Sequence, residues 1–166
     1  MTAARALAAL AVTATSAAIL LTPAAAQAAA QPATATAAAQ SAPITWGPYY
    51  APGKAAKTAG KLTATGEDHA DLPTAAVVTI SGTVQDSTKS ASCGWAVFRV
   101  TYRSGSNLPS RNHWVRDCSY RTPKHFSVKH HDVYQVELKV CSEAKAAKPS
   151  LNCLYAGTWK TLYLSK

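Results

Sequence analysis

Four cysteines, at positions 93, 118, 141 and 153, are the only thiols in the chain, and all fall in its C-terminal half. Cysteines of exported proteins are normally paired, and four of them allow three connectivities. Strand register discriminates among these. With Cys93 opposite Cys118 in an antiparallel hairpin, Ala96, Phe98 and Val100 share a face with Val115 and His113. On the other face Trp95 meets Arg116, Val97 meets Trp114 and Arg99 meets Asn112. With Cys141 opposite Cys153, Val140, Leu138 and Val136 share a face with Leu154, Ala156 and Thr158, and Lys139, Glu137 and Gln135 lie beside Tyr155, Gly157 and Trp159. A slip of one residue would mix the two faces of either hairpin. The pairs Cys93–Cys118 and Cys141–Cys153 are therefore predicted, each joining the arms of one hairpin. Each should contribute about 3 kcal/mol by the chain-entropy model.

Alternation with period two extends this pattern along the domain, punctuated by turn residues. Strands are predicted over 46–50, 58–65, 75–84, 94–102, 113–118, 125–129, 133–141 and 153–163. Between them stand GEDHADLP (66–73), QDSTKSAS (85–92), RSGSNLPS (103–110) and RTPK (121–124). The Ala/Lys pieces, AKAAK at 144–148 among them, suffice for one helical turn at most. Short strands at regular spacing predict an all-β fold: an antiparallel, immunoglobulin-like β-sandwich of about 7–8 strands with two hairpin disulfides, a small β-barrel being the alternative.

Domain boundaries follow from composition. In residues 1–30 a lone Arg5 precedes an apolar run to about Leu21, and small residues follow at A-x-A spacing. This is the pattern of a secretory signal peptide, with Ala26, Ala28 and Ala30 equivalent cleavage positions. A retained membrane anchor is the competing reading of the apolar run. Residues 31–45 are Ala, Thr, Pro and Gln without charge, a composition too poor in large apolar side chains to offset the entropy of ordering, and they read as a disordered leader. The β-sandwich domain is assigned to 46–166, a length that suits one core. The mature product is expected to be secreted, extracellular, monomeric and without a membrane span.

Removing residues 1–30 leaves sixteen Lys/Arg against eight Asp/Glu, a net charge of +8. Such an excess favours anionic partners, here a cell-wall polymer or polysaccharide in preference to nucleic acid. The hairpin registers place Trp95, Trp114 and Trp159 on one face with Arg99, Arg116 and Lys139, and Tyr155 beside them. Rings edged by cations suit stacking on sugars, and Trp95 over Arg116 would form a cation–π pair. The seven residues Trp95, Arg99, Trp114, Arg116, Lys139, Tyr155 and Trp159 are the candidate binding surface. The rings of WGPYYAPG (46–53) suit either covering the end of the core or touching a ligand.

Catalytic and metal chemistry find no motif. His130-His131-Asp132 reads as a solvated turn separating two strands, because neighbouring strand residues point to opposite faces. His113 falls on the core face as a structural residue. GEDHADLP lacks the Asp/Asn/Gly ladder of a calcium loop and reads as a charged turn. No G-x-S-x-G or H-E-x-x-H occurs, and all four cysteines are committed to bridges. Glu137 between Gln135 and Lys139 would supply one carboxylate for a small ribonuclease or hydrolase, a minor alternative. No catalytic residue, metal ligand or cofactor is assigned.

An Ala-rich leader followed by WGPYYAP, GEDHADLP, ISGTVQD, CGWAVFRVTY and VELKVC resembles the small secreted β-sandwich proteins of actinobacteria whose function is unknown. The likeness covers 46–166 and implies a β-sandwich with no catalytic residue to carry over. Actinobacterial protease inhibitors are a second group of small disulfide-bonded exports. RSGSNLPSR (103–111) is the loop that would serve in that role, although it lacks flanking cysteines. The sequence thus predicts a non-catalytic binding module for an anionic or carbohydrate cell-surface ligand, with a secreted protease inhibitor as the alternative.

Overall fold

Alternating β-branched and polar residues form seven antiparallel strands in the computed structural model, which describes residues 42–166. They are β1 (Ile44–Tyr50), β2 (Ala56–Glu67), β3 (Ala75–Asp86), β4 (Ser92–Tyr102), β5 (Ser110–Asp117), β6 (Lys124–Ala144) and β7 (Lys160–Leu164). Hydrogen bonding joins them into one sheet, ordered β1-β2-β3-β6-β4-β5, with β7 on β6. The all-β antiparallel class and both disulfides are as the sequence predicts. The signal segment 1–30 and most of the leader lie outside the described residues. β1 opens at Ile44, inside the leader as bounded from composition.

Two strands expected as separate are one. β6 runs through His130-His131-Asp132 without turning. Asp132 takes a left-handed conformation (φ 52°), and there β6 exchanges its β3 neighbour for β4: Val133 is opposite Ala75 on one side and Tyr102 on the other. Asp tolerates that conformation better than most residues, so the motif supplies a kink where a turn was expected. His130 is consequently buried inside the sheet.

The sheet wraps one main core, to which every strand contributes: Trp46, Leu62, Ile80, Phe98, Val115, Leu138 and Leu162 among others. Trp46 stacks on Phe126 and meets Phe98 edge-on, with centroids 6.4 and 6.0 Å apart. Its ring lies against the Gly60–Gly82 pair of β2 and β3. A Cβ on Gly60 would come within 2.7 Å of the ring and 2.0 Å of the Ser81 carbonyl oxygen, so only glycine fits. Curling brings sheet elements together that are not neighbours in the ladder. The buried Asp117 carboxylate, at the end of β5, accepts the Asp86 N–H of β3 at 2.9 Å and the Ser119 N–H at 3.0 Å.

A second, smaller cluster lies on the opposite face of β4 and β6. Cys93, Trp95, Val97, Cys141 and Cys153 are buried there, with Leu154 and Trp159 packed against them. The cover is the segment between β6 and β7, which includes a short helix, α1 (Leu151–Tyr155), capped by the Ser150 hydroxyl accepting from the Cys153 N–H. β4 is thus buried on both faces, as its near-continuous apolar run CGWAVFRV requires.

Candidate functional site

The β4–β5 ladder has the register expected from the first disulfide. Gly94 is opposite Asp117, Trp95 opposite Arg116, Val97 opposite Trp114 and Arg99 opposite Asn112. The second hairpin does not. Cys153 sits in α1, and β7 begins only at Lys160, which pairs with Leu138; Val136 faces Tyr163. Leu154, placed by the sequence on the face of Val140 and Leu138, packs instead with Trp95 and the disulfides. The physical reason is local. Ser150 starts a helical turn, and Gly157 (φ 71°) re-aims the chain before pairing resumes.

This shift redistributes the seven candidate surface residues. Trp95 is fully buried, and Arg116 lies over its ring at 5.3 Å, the cation–π pair expected from the register. Lys139, on β6, is only 6% exposed. Its ammonium donates to the carbonyls of Leu154 (3.0 Å) and Ala156 (2.8 Å), so it fastens the covering segment rather than facing solvent. Burial, and then the nearby Arg99 charge, lower its pKa from the usual lysine value. Arg99 and Lys139 both lie over the Trp159 ring, at 4.4 and 4.8 Å. Arg99 also donates to Glu137 at 2.7 Å. Trp114 is 38% exposed and Tyr155, at the end of α1, 80%. Tyr155 projects from α1, and the open Trp114 ring shares its face with two held guanidiniums, since Arg116 also donates to the Ala146 carbonyl.

A cleft of about 610 Å³ lies apart from Trp114, Arg99 and Arg116, and part of the WGPYYAPG run singled out in the sequence lines it. One wall is the Pro48–Pro52 turn with Tyr49 and Tyr50; the floor is β6 from Leu138 to Glu143; the far wall is α1 and the loop after it. Trp46 of the same WGPYY run is buried in the core, whereas Tyr50 is exposed. A sequence signal for the cleft existed in the excess length of β6 over β7, but it required the true β7 register to be seen.

Two further clusters are self-contained. Within GEDHADLP the Asp68 carboxylate accepts the Thr74 N–H at 2.9 Å and pairs with Arg103. Those two contacts, in that order, pull its pKa down to about 2. Under β5, His130 lies 5.6 Å from the His113 ring and 3.2 Å from the Arg111 guanidinium. Burial chiefly, then the Arg111 charge, lowers the His130 pKa to about 4. His113 is shifted down for the same two reasons.

Both disulfides belong to an oxidising, extracellular type of environment. No helix among the described residues is long and apolar enough to cross a membrane. Comparison with known proteins finds no matching family model, curated protein or solved structure.

Proposed function

We propose that the chain is an exported, non-catalytic binding module for an anionic glycopolymer of the cell surface. The observation that carries this reading is the open Trp114 ring on a face where Arg99 and Arg116 are already held in place. An aromatic face stacks on a sugar ring, and fixed guanidiniums reach carboxylates or phosphates without losing further side-chain entropy. The exposed Lys145 and Lys148 of the neighbouring loop add positive charge around it. Lys139 and Trp95 support the platform from beneath rather than touching ligand.

Titration of the oxidised chain with polygalacturonate, and with neutral dextran as control, tests the reading. Binding to the polyanion should weaken steeply between low and physiological salt. Trp114→Ala should reduce it at least 10-fold while both disulfides still form. Equal retention on dextran, or binding indifferent to salt and to Trp114→Ala, would overturn it.

A further inference from the structure

β7 leaves its ladder early. It pairs with β6 only between Gln135 and Leu138, whereas β6 continues along β4 to Ala144. The Tyr102 N–H donates to the Pro109 carbonyl just before β5. Even-numbered β4 residues therefore aim their main-chain groups at β5 and odd-numbered ones at β6, where their partners from Gln135 to Glu143 are also odd-numbered. Along the unbroken β4 ladder, even-numbered residues of β6 aim their main-chain groups away from β4. Beyond the Leu138–Lys160 pair, the next such residues are Val140 and Ser142. Among the described residues no strand pairs with them on that side. Among the described residues β1 likewise pairs with β2 alone, and its Tyr49–Tyr50 end lines the same cleft.

A row of free N–H and C=O groups at strand spacing recognises another polypeptide backbone, a pattern that sugars do not repeat. We propose that this cleft accepts an extended segment of a partner protein, which adds a strand to β6 in line with β7. Val140 packs against the main core, so the partner residue opposite it takes a β-branched or other compact apolar side chain. The charges define the flanks. Lys160 lines the cleft, and Lys54 and Lys57 stand at the Tyr50 end, all three exposed. Glu143, the one acidic residue lining the cleft, is taken up by Ser150, whose N–H it accepts at 2.8 Å. The partner segment is therefore acidic on either side of its apolar residue. The far wall is fixed in advance by the Cys141–Cys153 bridge and the grip of Lys139 on the Leu154 and Ala156 carbonyls. Ordering falls mainly on the incoming peptide.

The probe is a phage-displayed library of random octapeptides, panned on the oxidised full-length chain. Enriched sequences should alternate acidic and β-branched residues, and their synthetic forms should shift the Val140 and Ser142 amide resonances. N-methylation of alternate peptide amides should weaken binding at least 10-fold. Ser142→Pro removes the cleft-facing N–H without taking a donor from the β4 ladder, and should abolish capture. If that variant misfolds, the N-methylated peptides decide the matter alone. Failure to enrich any sequence, equal binding after N-methylation, or shifts confined to residues outside the cleft would overturn the proposal. Dimerisation of the chain that is blocked by Ser142→Pro would also overturn it, by assigning the edge to a second copy. Binding at the Trp114 face is read separately, because Trp114→Ala should leave peptide capture unchanged.

Discussion

Cys93–Cys118 closes a ladder, whereas Cys141–Cys153 fastens a helix to a strand. In the first, the cysteines directly extend the Gly94–Asp117 pair, with their Cα atoms 4.2 Å apart. In the second, one cysteine lies in β6 and the other in α1, with Cα atoms 5.8 Å apart. The link therefore says nothing about which residues of β6 and β7 oppose each other. A disulfide reports register where its cysteines directly continue a ladder, as Cys93 and Cys118 do one step past the Gly94–Asp117 pair. Elsewhere it holds a cover in place, and here the cover leaves a length of strand edge unpaired.

Removing each bridge should break this contrast most sharply. Substituting both Cys93 and Cys118 with Ala opens a link spanning 25 residues and should lower global stability by about 3.5 kcal/mol. Urea melts followed by circular dichroism would read that loss over the whole sheet. Substituting Cys141 and Cys153, 12 residues apart, carries a chain-entropy cost of about 3 kcal/mol, concentrated in the covering segment. Trypsin should then cut after Lys145, the Lys148–Pro149 bond being resistant, while the β4–β5 ladder stays protected from hydrogen exchange. Uniform loss of protection in the second variant would refute the division of roles.

Acid should separate the two regions in a different way. His130 lies under the first hairpin, faced by Arg111 and His113. Its folded pKa of about 4 is below the unfolded value of 6.5. Between those values the unfolded chain binds a proton that the folded chain does not, so stability is full above pH 6.5 and falls as pH drops toward 4. The loss amounts to about 3 kcal/mol. Stability measured from pH 7.5 to 4.5 should show this slope, and His130→Gln should make it shallower, the depressed His113 supplying the remainder. An unchanged slope in that variant would place the titration elsewhere.

Lys139 tests the second region. Lys139→Met keeps the length of the side chain but removes the donor to Leu154 and Ala156 and one cation over Trp159. Hydrogen bonds to a charged group suggest a cost of about 2 kcal/mol. Amide exchange should quicken across 154–159 and stay unchanged in β4 and β5.

How much of this was legible in the sequence follows the same division. The β4–β5 hairpin could be read because its apolar set, Ala96, Phe98, Val100 and Val115, changes face with any slip, and because no helix intervenes between ladder and bridge. The β6–β7 hairpin gave an equally consistent pattern that was false, since Leu154 finds an apolar environment on either face of β6. His130-His131-Asp132 reads as a turn from its polarity. Only the β3 and β4 partners flanking Val133 show that the strand continues through a kink. The cleft was legible only in part. The WGPYYAPG rings that form one wall stood out, but its floor is a difference in length between two strands, visible only once the β7 register is known.

The smallest expected effect bears on the surface that both regions build together. Arg99 comes from the first hairpin and Glu137 from β6, and their pair is partly exposed. Glu137→Gln should therefore change stability by no more than about 1 kcal/mol. Its effect on ligand should have the opposite sign. With the carboxylate gone, Arg99 stays over Trp159 but no longer shares its charge with a neighbour, and the face gains one net positive charge. Polygalacturonate affinity should rise about 2- to 3-fold at low salt and revert at high salt, as screening removes the difference. A fall in affinity would mean that Glu137 positions Arg99 for ligand. The platform would then depend on the junction of the two regions rather than on the first hairpin alone.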